Sequence, residues 1–435
     1  MLHFIITALG SYGDVHPMVG LGKALSSRGH LVKIVTNPYF EDVVSGAGLE
    51  LVPLGTREEY VRLSQHPDLW HPVRGPCMVL SYACGRMLRP LYELILRHYV
   101  PGKTVLGAHG LDLASRIVGE KHGVPVASIV FAPGLLWTIY DSPRLKGALL
   151  GARVPRPLKH LQFWAADTLF VQRLLGRELN GMRRELGLAK VRRVFSRWLF
   201  DGDLVLGLFA DWFGPVQSDW PANTRVVGFP LWDSQADIQL SSEVREFLAA
   251  GPPPIAFSPG SANRAAHDFF AAAVEACERL GCRGILLTKY CHQLPPRLPE
   301  SVRHFGFVPL SKLLPHTAAL VHHGGIGSCA QGLAAGVPHV VQPMSYDQFD
   351  NSRRLIRLGV ATEVPQRRFC GRQVADALAV LMDSPTIAAR CRQLAARCDG
   401  PAALAAACDA MEHLATAHAA RWNEPRIPKQ LGALP

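Results

Sequence analysis

The sequence predicts an α/β protein made of two doubly wound, Rossmann-like domains that face each other across a cleft. Three observations carry this expectation. Short apolar runs alternate with helical stretches and glycine turns in both halves of the chain, the pattern of a parallel sheet covered by helices on both faces. The length, 435 residues, exceeds the roughly 250–300 residues over which one hydrophobic core usually grows. The composition, 48% hydrophobic and 19% charged, supplies apolar material for two cores and excludes a disordered chain.

In chain order, Leu2–Leu9 reads as a buried strand, Gly10–Gly13 as the turn after it, and Pro17–Arg28 as a helix stopped at Gly29. Strands at Leu31–Thr36 and Leu49–Pro53 follow, then an irregular, proline-bearing stretch. A strand at Thr104–Gly107, a helix at Leu111–His122 stopped by Gly123, and a strand at Val126–Phe131 continue the alternation. A strand is also expected at Leu204–Phe209. The second half repeats the theme with strands at Pro252–Ser258, Arg283–Thr288, Val302–Phe307, Ala319–His322 and Val337–Gln342. Helices are expected at His267–Leu280, Ile326–Ala335 and Asn351–Leu358, and alanine-rich helices from Val374 to Ala419. The connector Gly228-Phe-Pro-Leu-Trp-Asp-Ser divides the chain into a first domain over 1–228 and a second over 229–404. A C-terminal helix over 405–425 is expected to complete the first domain.

The 39 glycines and 33 prolines are scattered, which removes collagen-like and low-complexity readings. The ten cysteines include no Cys-x-x-Cys pair, so a reduced, cytoplasmic protein is expected rather than a disulfide scaffold. The N-terminal segment lacks the basic leader and small-residue cleavage site of a signal peptide. No apolar run reaches the roughly 20 residues that cross a bilayer.

The net charge of +11 is unevenly placed. Thirteen lysines and arginines lie between Pro143 and Trp198 against three acids, Asp167, Glu178 and Glu185. Leu158, Leu161, Trp164 and Ala165 stand at helical spacing within this basic stretch. Such a segment can lie on an anionic membrane, or it can be a helix with a solvated arginine face. Zinc-finger spacing and RNA-binding aromatic motifs are missing, so nucleic acid is not an expected partner.

The turns after the strands carry the chemistry. His322-His-Gly-Gly-Ile-Gly-Ser-Cys-Ala-Gln-Gly follows an apolar strand and opens a helix. There, glycines admit a phosphate to the backbone and the helix N-terminus offers free N–H groups. Ser328 adds a hydroxyl and His323 an imidazole. It is not a Walker loop, because no Gly-Lys-Ser/Thr follows. After the next strand, Asp347 and Gln348 place a carboxylate beside an amide, a pair that can bond neighbouring sugar hydroxyls or simply belong to a polar loop capping a helix from Asn351.

The run from His322 through Asn351 resembles the donor-binding signature of nucleotide-sugar glycosyltransferases of the two-Rossmann (GT-B) type. Within them it is similar to the UDP-glycosyltransferase superfamily, which includes sterol glucosyltransferases and rhamnolipid rhamnosyltransferases. Gly10-Ser-Tyr-Gly-Asp-Val-His-Pro matches the first-strand turn of the bacterial and sterol members. The resemblance implies that Gly260, Ser261, His323, Gly325, Gly327 and Ser328 hold the diphosphate. It implies that Phe307 stacks on the nucleobase, where plant members have tryptophan, that Val308 meets the base through its backbone, and that Asp347 and Gln348 bind the donor sugar. The implied reaction is inverting, metal-independent and cofactor-free: a hexose moves from a UDP-glucose or dTDP-rhamnose type donor to a hydroxyl of a sterol, lipid or polyketide-like acceptor.

Inverting transfer needs a base for the acceptor proton. Many family members use a histidine in the first turn, where this chain has Asp14; as in the sterol and antibiotic members, the position is acidic. His16 is an alternative base, and His109 at a strand end can pair with Asp14. The acceptor is expected on the first domain, against Phe131 and Trp137, with the protein peripheral to the inner face of a membrane. Asp201-Gly-Asp203 has the spacing of metal-dependent glycosyltransferases but precedes its strand, which suits a turn. A sugar-nucleotide epimerase of the same fold and a catalytically silent partner protein are the competing readings.

Overall fold

A computed structural model describes residues 1–144, 154–233 and 238–422. The first sheet contains β1 (His3–Thr7), β2 (Leu31–Thr36), β3 (Glu50–Pro53), β4 (Thr104–His109), β5 (Val126–Val130), β6 (Leu204–Gly207) and β7 (Thr224–Val226), in the order β3-β2-β1-β4-β5-β6-β7. The second contains β8 (Ile255–Ser258), β9 (Gly284–Leu287), β10 (Val302–Phe305), β11 (Ala319–His322), β12 (His339–Val341) and β13 (Ala361–Glu363), in the order β10-β9-β8-β11-β12-β13. All pairings are parallel. Both sheets are therefore doubly wound. The central strands β1 and β4 are buried along their whole length, as expected where helices cover both faces.

The His267–Leu280 and Ile326–Ala335 helices coincide with their sequence expectation; each ends on a left-handed glycine, Gly281 or Gly336, a common helix stop. Elsewhere the boundaries move. The first helix begins at Tyr12 rather than Pro17, because Ser11 and Asp14 form a capping box directly after Gly10. The helix expected from Asn351 begins at Gln348. The stretch read as irregular contains helices at Arg57–Ser64, Arg74–Tyr82 and Leu88–His98. The short strands β7 and β13 and the Ser242–Ala249 helix had no sequence expectation.

The C-terminal Gly400–Trp422 helix returns to the first domain. Ala407, Cys408, Met411 and Leu414 share a core with Phe4, Ile6, Ile34 and Leu206. The two chain crossings between the domains touch: Gly400 is packed so closely on Pro230 and Leu231, and Gly228 on Ala403, that a Cβ at either glycine would come within 3.0 Å of the other crossing. Residues 145–153, 234–237 and 423–425, which include Lys146 and Arg153 of the basic stretch, part of the connector and the last three residues of the expected C-terminal helix, lie outside the described residues.

Candidate active site

In each sheet the strand order reverses at a central pair, β1/β4 in the first domain and β8/β11 in the second. Loops leaving the C-terminal ends of such pairs diverge and leave a crevice. Gly10–Asp14 and His109 lie at the first reversal; Gly260–Arg264 and His323–Ser328 lie at the second. The motifs read from the sequence thus occupy the two positions where open α/β sheets bind ligands.

Asp14 is the third residue of its helix. Its Oδ2 accepts from the Ser11 backbone N–H (2.7 Å) and the Ser11 hydroxyl (3.1 Å). Its Oδ1 lies 3.3 Å from Nε2 of His109. Gly10 makes room for this carboxylate: a Cβ there would fall 2.3 Å from Oδ2, and its φ of +133° is one that side-chain-bearing residues rarely adopt. The imidazole of His109 is buried, and its Nδ1 accepts the Leu111 backbone N–H at 3.1 Å. With Nδ1 used as an acceptor, the neutral ring carries its proton on Nε2, where it donates to Asp14. Neither ring nitrogen is then left to take another proton, whereas the Asp14 carboxylate is about one-third exposed. Phe131 packs on the His109 ring at 5.4 Å. His16 lies edge-on to Tyr12 and Trp232; burial, with the Lys289 charge adding, pushes its pKa down to about 4.

On the second domain, the His323 ring sits between two glycines. A Cβ on Gly260, whose φ is +98°, would come within 2.9 Å of the ring, and one on Gly325 within 2.4 Å. Burial pushes the pKa of His323 down to about 4, a shift the backbone of Ser258 opposes, and Nδ1 is buried without a partner. The Ile326–Ala335 helix begins after Gly325 with no side-chain cap, so its first N–H groups, around Gly327 and Ser328, have no side-chain acceptor from Gly325. Beneath them His322, wholly buried, accepts the Gly324 N–H at 3.2 Å and meets His339 at 3.1 Å, fixing the turn from below. Ser261 is exposed at the end of β8. Phe307 is 55% exposed, an apolar ring with an open face, while Val308 is buried.

Asp347 precedes the Gln348–Arg357 helix without capping it. Its carboxylate instead accepts from Asn351 Nδ2 at 2.7 Å, and the same amide donates to the Gly324 carbonyl at 3.0 Å, tying the two turns together. Burial raises the pKa of Asp347 to about 6; the charge of Asp14 adds to the rise and the Asn351 bond opposes it. Gln348 is buried, and its Oε1 accepts from the backbone N–H groups of Met344 and Ser345, leaving its amide nitrogen outside these bonds.

Several residues at these loops were not singled out from the sequence. Tyr346 holds a left-handed backbone (φ 57°) and donates its hydroxyl to the Leu69 carbonyl of the first domain at 2.7 Å. Lys289 donates to the Tyr12 hydroxyl at 2.9 Å, also across the domains, and stands 5.7 Å from the Phe307 ring centre. Arg264 stacks on Tyr290 at 4.6 Å, with Nε buried and unpartnered. Lys289 and Arg264 both follow strand ends, and that position is the signal that could have found them. Asp141 pairs with Arg353, Arg354 and Arg357 at 2.8–3.1 Å, closing the domains at one side.

The two residues expected to meet the acceptor separate. Phe131 borders the Asp14–His109 pair. Trp137 instead stacks with Phe163 and Phe195 and lines a cavity of about 280 Å³ with Leu136, Phe200 and Trp220. Asp201 and Asp203 stand at the start of β6: Asp203 accepts the Val126 N–H at 3.0 Å, and the Asp201 carbonyl accepts from Arg116 at 2.6 Å.

Fold and motifs together define a glycosyltransferase of the GT-B kind, and the comparisons agree. Residues 4–140 match the glycosyltransferase family 28 N-terminal domain, and residues 285–411 match the C-terminal domain of proteins like the erythromycin biosynthesis protein CIII. The two matches fall one on each domain, so the chain is a glycosyltransferase whose halves are similar to these two domain types. It is 28% identical to an uncharacterized glycosyltransferase of Mycobacterium tuberculosis over 95% of this chain and 99% of the relative. It is also 28% identical to the O-mycaminosyltylonolide 6-deoxyallosyltransferase of Streptomyces fradiae, over 90% of this chain and 93% of that one. Among solved structures, the kitacinnamycin glycosyltransferase superposes with a TM-score of 0.73 at 20% identity, covering 95% of this chain and 99% of its own. The glycosyltransferase VinC, solved with dTDP, gives 0.68 at 20% identity, covering 96% and 100%.

Proposed function

We propose that this glycosyltransferase moves a hexose, with inversion and without a metal, from a nucleoside-diphosphate sugar to a hydroxyl of a lipophilic acceptor. Asp14 acts as the base: it takes the acceptor proton as the oxygen forms its bond to the anomeric carbon and the bond to the diphosphate breaks. His109 is a positioning residue, which holds Oδ1 of Asp14 through Nε2–H. The observation that carries the reading is that two hydrogen bonds cross between the domains beside these groups: Lys289 to Tyr12, two residues before Asp14, and Tyr346, the neighbour of Asp347, to Leu69. A base on one domain thereby faces the sugar-binding pair Asp347 and Gln348 on the other.

The departing diphosphate needs positive charge. The helix N-terminus at Gly325–Ser328, with Arg264 and Lys289 nearby, offers it from the chain itself. Phe307 offers the nucleobase an open ring. The donor is of the UDP-glucose or dTDP-rhamnose type, and VinC's complex with dTDP supports including dTDP in the test. The acceptor is a sterol, lipid or polyketide-like alcohol entering past Phe131, and the protein is cytoplasmic, meeting an anionic membrane peripherally. Titration calorimetry with UDP and dTDP, each with and without a chelator, tests the donor half. Binding of one nucleotide unaffected by the chelator is expected; binding of neither, or binding that requires a divalent metal, overturns the reading.

A further inference from the structure

A helix packed on a globular protein normally turns its apolar stripe inward. The Arg156–Ala165 helix does the reverse. Leu158, Leu161 and Trp164, three residues apart and hence on one side, are 47%, 56% and 43% exposed, while Lys159 is 7% exposed. The opposite side faces the protein through Phe163, stacked on Trp137. Leu169 and Phe170, in the helical turns that follow, continue the outward apolar surface at 53% and 50% exposure. Folded monomers seldom leave so many large apolar groups together in water unless another surface covers them.

Cations surround this face. Arg156, Arg173, Arg177 and Arg184 are exposed on the same helical excursion. Of its three acids, Asp167 is wholly buried, accepting the backbone N–H groups of Phe195 and Ser196, Glu185 is paired with Arg89, and Glu178 is exposed, outnumbered by the four arginines. Two copies meeting through the patch would set arginine against arginine. An anionic bilayer matches both properties: its acyl boundary takes the leucines, phenylalanine and tryptophan, and its headgroups take the guanidinium groups. Arg156 also stacks over Tyr140 at 4.6 Å, on the loop that leaves β5 at Phe131. The patch is thus joined to the acceptor side of the cleft.

We propose that this outward face, from Leu158 to Phe170 with its flanking arginines, is the surface on which the enzyme docks to an anionic membrane. As a route to the acceptor, the proposal rests on the lipid-acceptor reading above; as a binding surface, it stands on different residues.

Flotation of the full chain with phosphatidylcholine vesicles, alone or mixed in equal parts with phosphatidylglycerol, tests it. Co-flotation with the anionic vesicles only, falling as salt rises, is expected. Arg173→Glu with Arg177→Glu should weaken it by roughly tenfold or more, and Leu161→Asp with Trp164→Ser should abolish it. Both variants should bind nucleotide like the parent, which shows that they fold. No flotation of the parent at low salt, or equal flotation with neutral vesicles, overturns the proposal. So does a parent that is a dimer in solution and becomes monomeric in Leu161→Asp, which would make the face a contact between copies. A parent that binds nucleotide and transfers sugar but does not float would sink the membrane surface alone; a parent that floats but binds no nucleotide would sink the glycosyl-transfer reading alone.

Discussion

The Asp347→Asn substitution removes a carboxyl whose pKa burial raises from 3.8 to about 6. Between those values the native chain keeps a proton that the unfolded chain has released. The native state therefore loses stability as pH rises through that window and gains none of it back above. Two pKa units at about 1.4 kcal/mol each put the cost of ionised Asp347 near 3 kcal/mol at neutral pH. An asparagine keeps an oxygen for Asn351 Nδ2 but loses the charge-assisted part of that 2.7 Å bond, on the order of 1 kcal/mol. The variant should therefore be more stable than the parent by about 2 kcal/mol at about pH 8, and no more stable at about pH 4. Urea unfolding of both proteins across this range measures the difference, and sugar transfer measured alongside should fall because a hydroxyl acceptor has gone. A stability difference that does not change with pH, or a variant weaker than the parent at high pH, would refute the argument that Asp347 is held ionised at a cost in the ligand-free protein.

Other expectations concern the two halves of the site. Asp14→Asn should lower kcat by about 10²–10⁴-fold with nucleotide affinity nearly unchanged; near-normal turnover would move the base to another group. His109→Ala should cost less, because the carboxylate loses only the Nε2–H donor that orients Oδ1, and it should lower kcat while leaving nucleotide affinity unchanged. His109→Gln, whose side-chain amide can still donate to Oδ1, should restore part of the rate; no difference between the two variants would contradict the positioning role. His323 is neutral at physiological pH, so a diphosphate beside its unpartnered Nδ1 should raise its pKa and draw in a proton. Nucleotide affinity should then rise as pH falls toward 4, and calorimetry in buffers of different ionisation enthalpy should give different heats; equal heats would contradict the placement. Gly260→Ala should cost about 1–3 kcal/mol in backbone strain and displace His323, weakening nucleotide binding more than a destabilisation of that size alone explains.

How far the sequence reveals this protein follows from the range of the forces involved. The His267–Leu280 and Ile326–Ala335 helices were legible because periodicity and a glycine stop lie within one short window. The first helix starts earlier than expected because the Ser11–Asp14 capping box sets its start at Tyr12, while Pro17, a residue type that favours a helix's first turn, sits inside it. β7 and β13 escaped notice because each has three residues and partial exposure, leaving little alternation to detect. The motif residues were found because glycine and short polar runs after apolar strands are local signals. Tyr346 was not, because its bond to Leu69 exists only after the chain has folded; Lys289 and Arg264 have only their place after strand ends to mark them.

The return of the last helix to the first domain has a mechanical consequence. A domain attached by one strand of chain can swivel freely; one entered and left by two adjacent strands is held like a door on a single narrow hinge plate. Because Gly228 lies against Ala403 and Gly400 against Pro230 and Leu231, both leaves of the plate meet in one small contact with no space for a methyl group. Any opening of the cleft would turn about that contact and would have to part the Asp141–arginine pairs and the Lys289–Tyr12 and Tyr346–Leu69 bonds. A side chain introduced at either glycine would act as a wedge, changing how fast substrate enters and product leaves while leaving every group that touches the sugar in place.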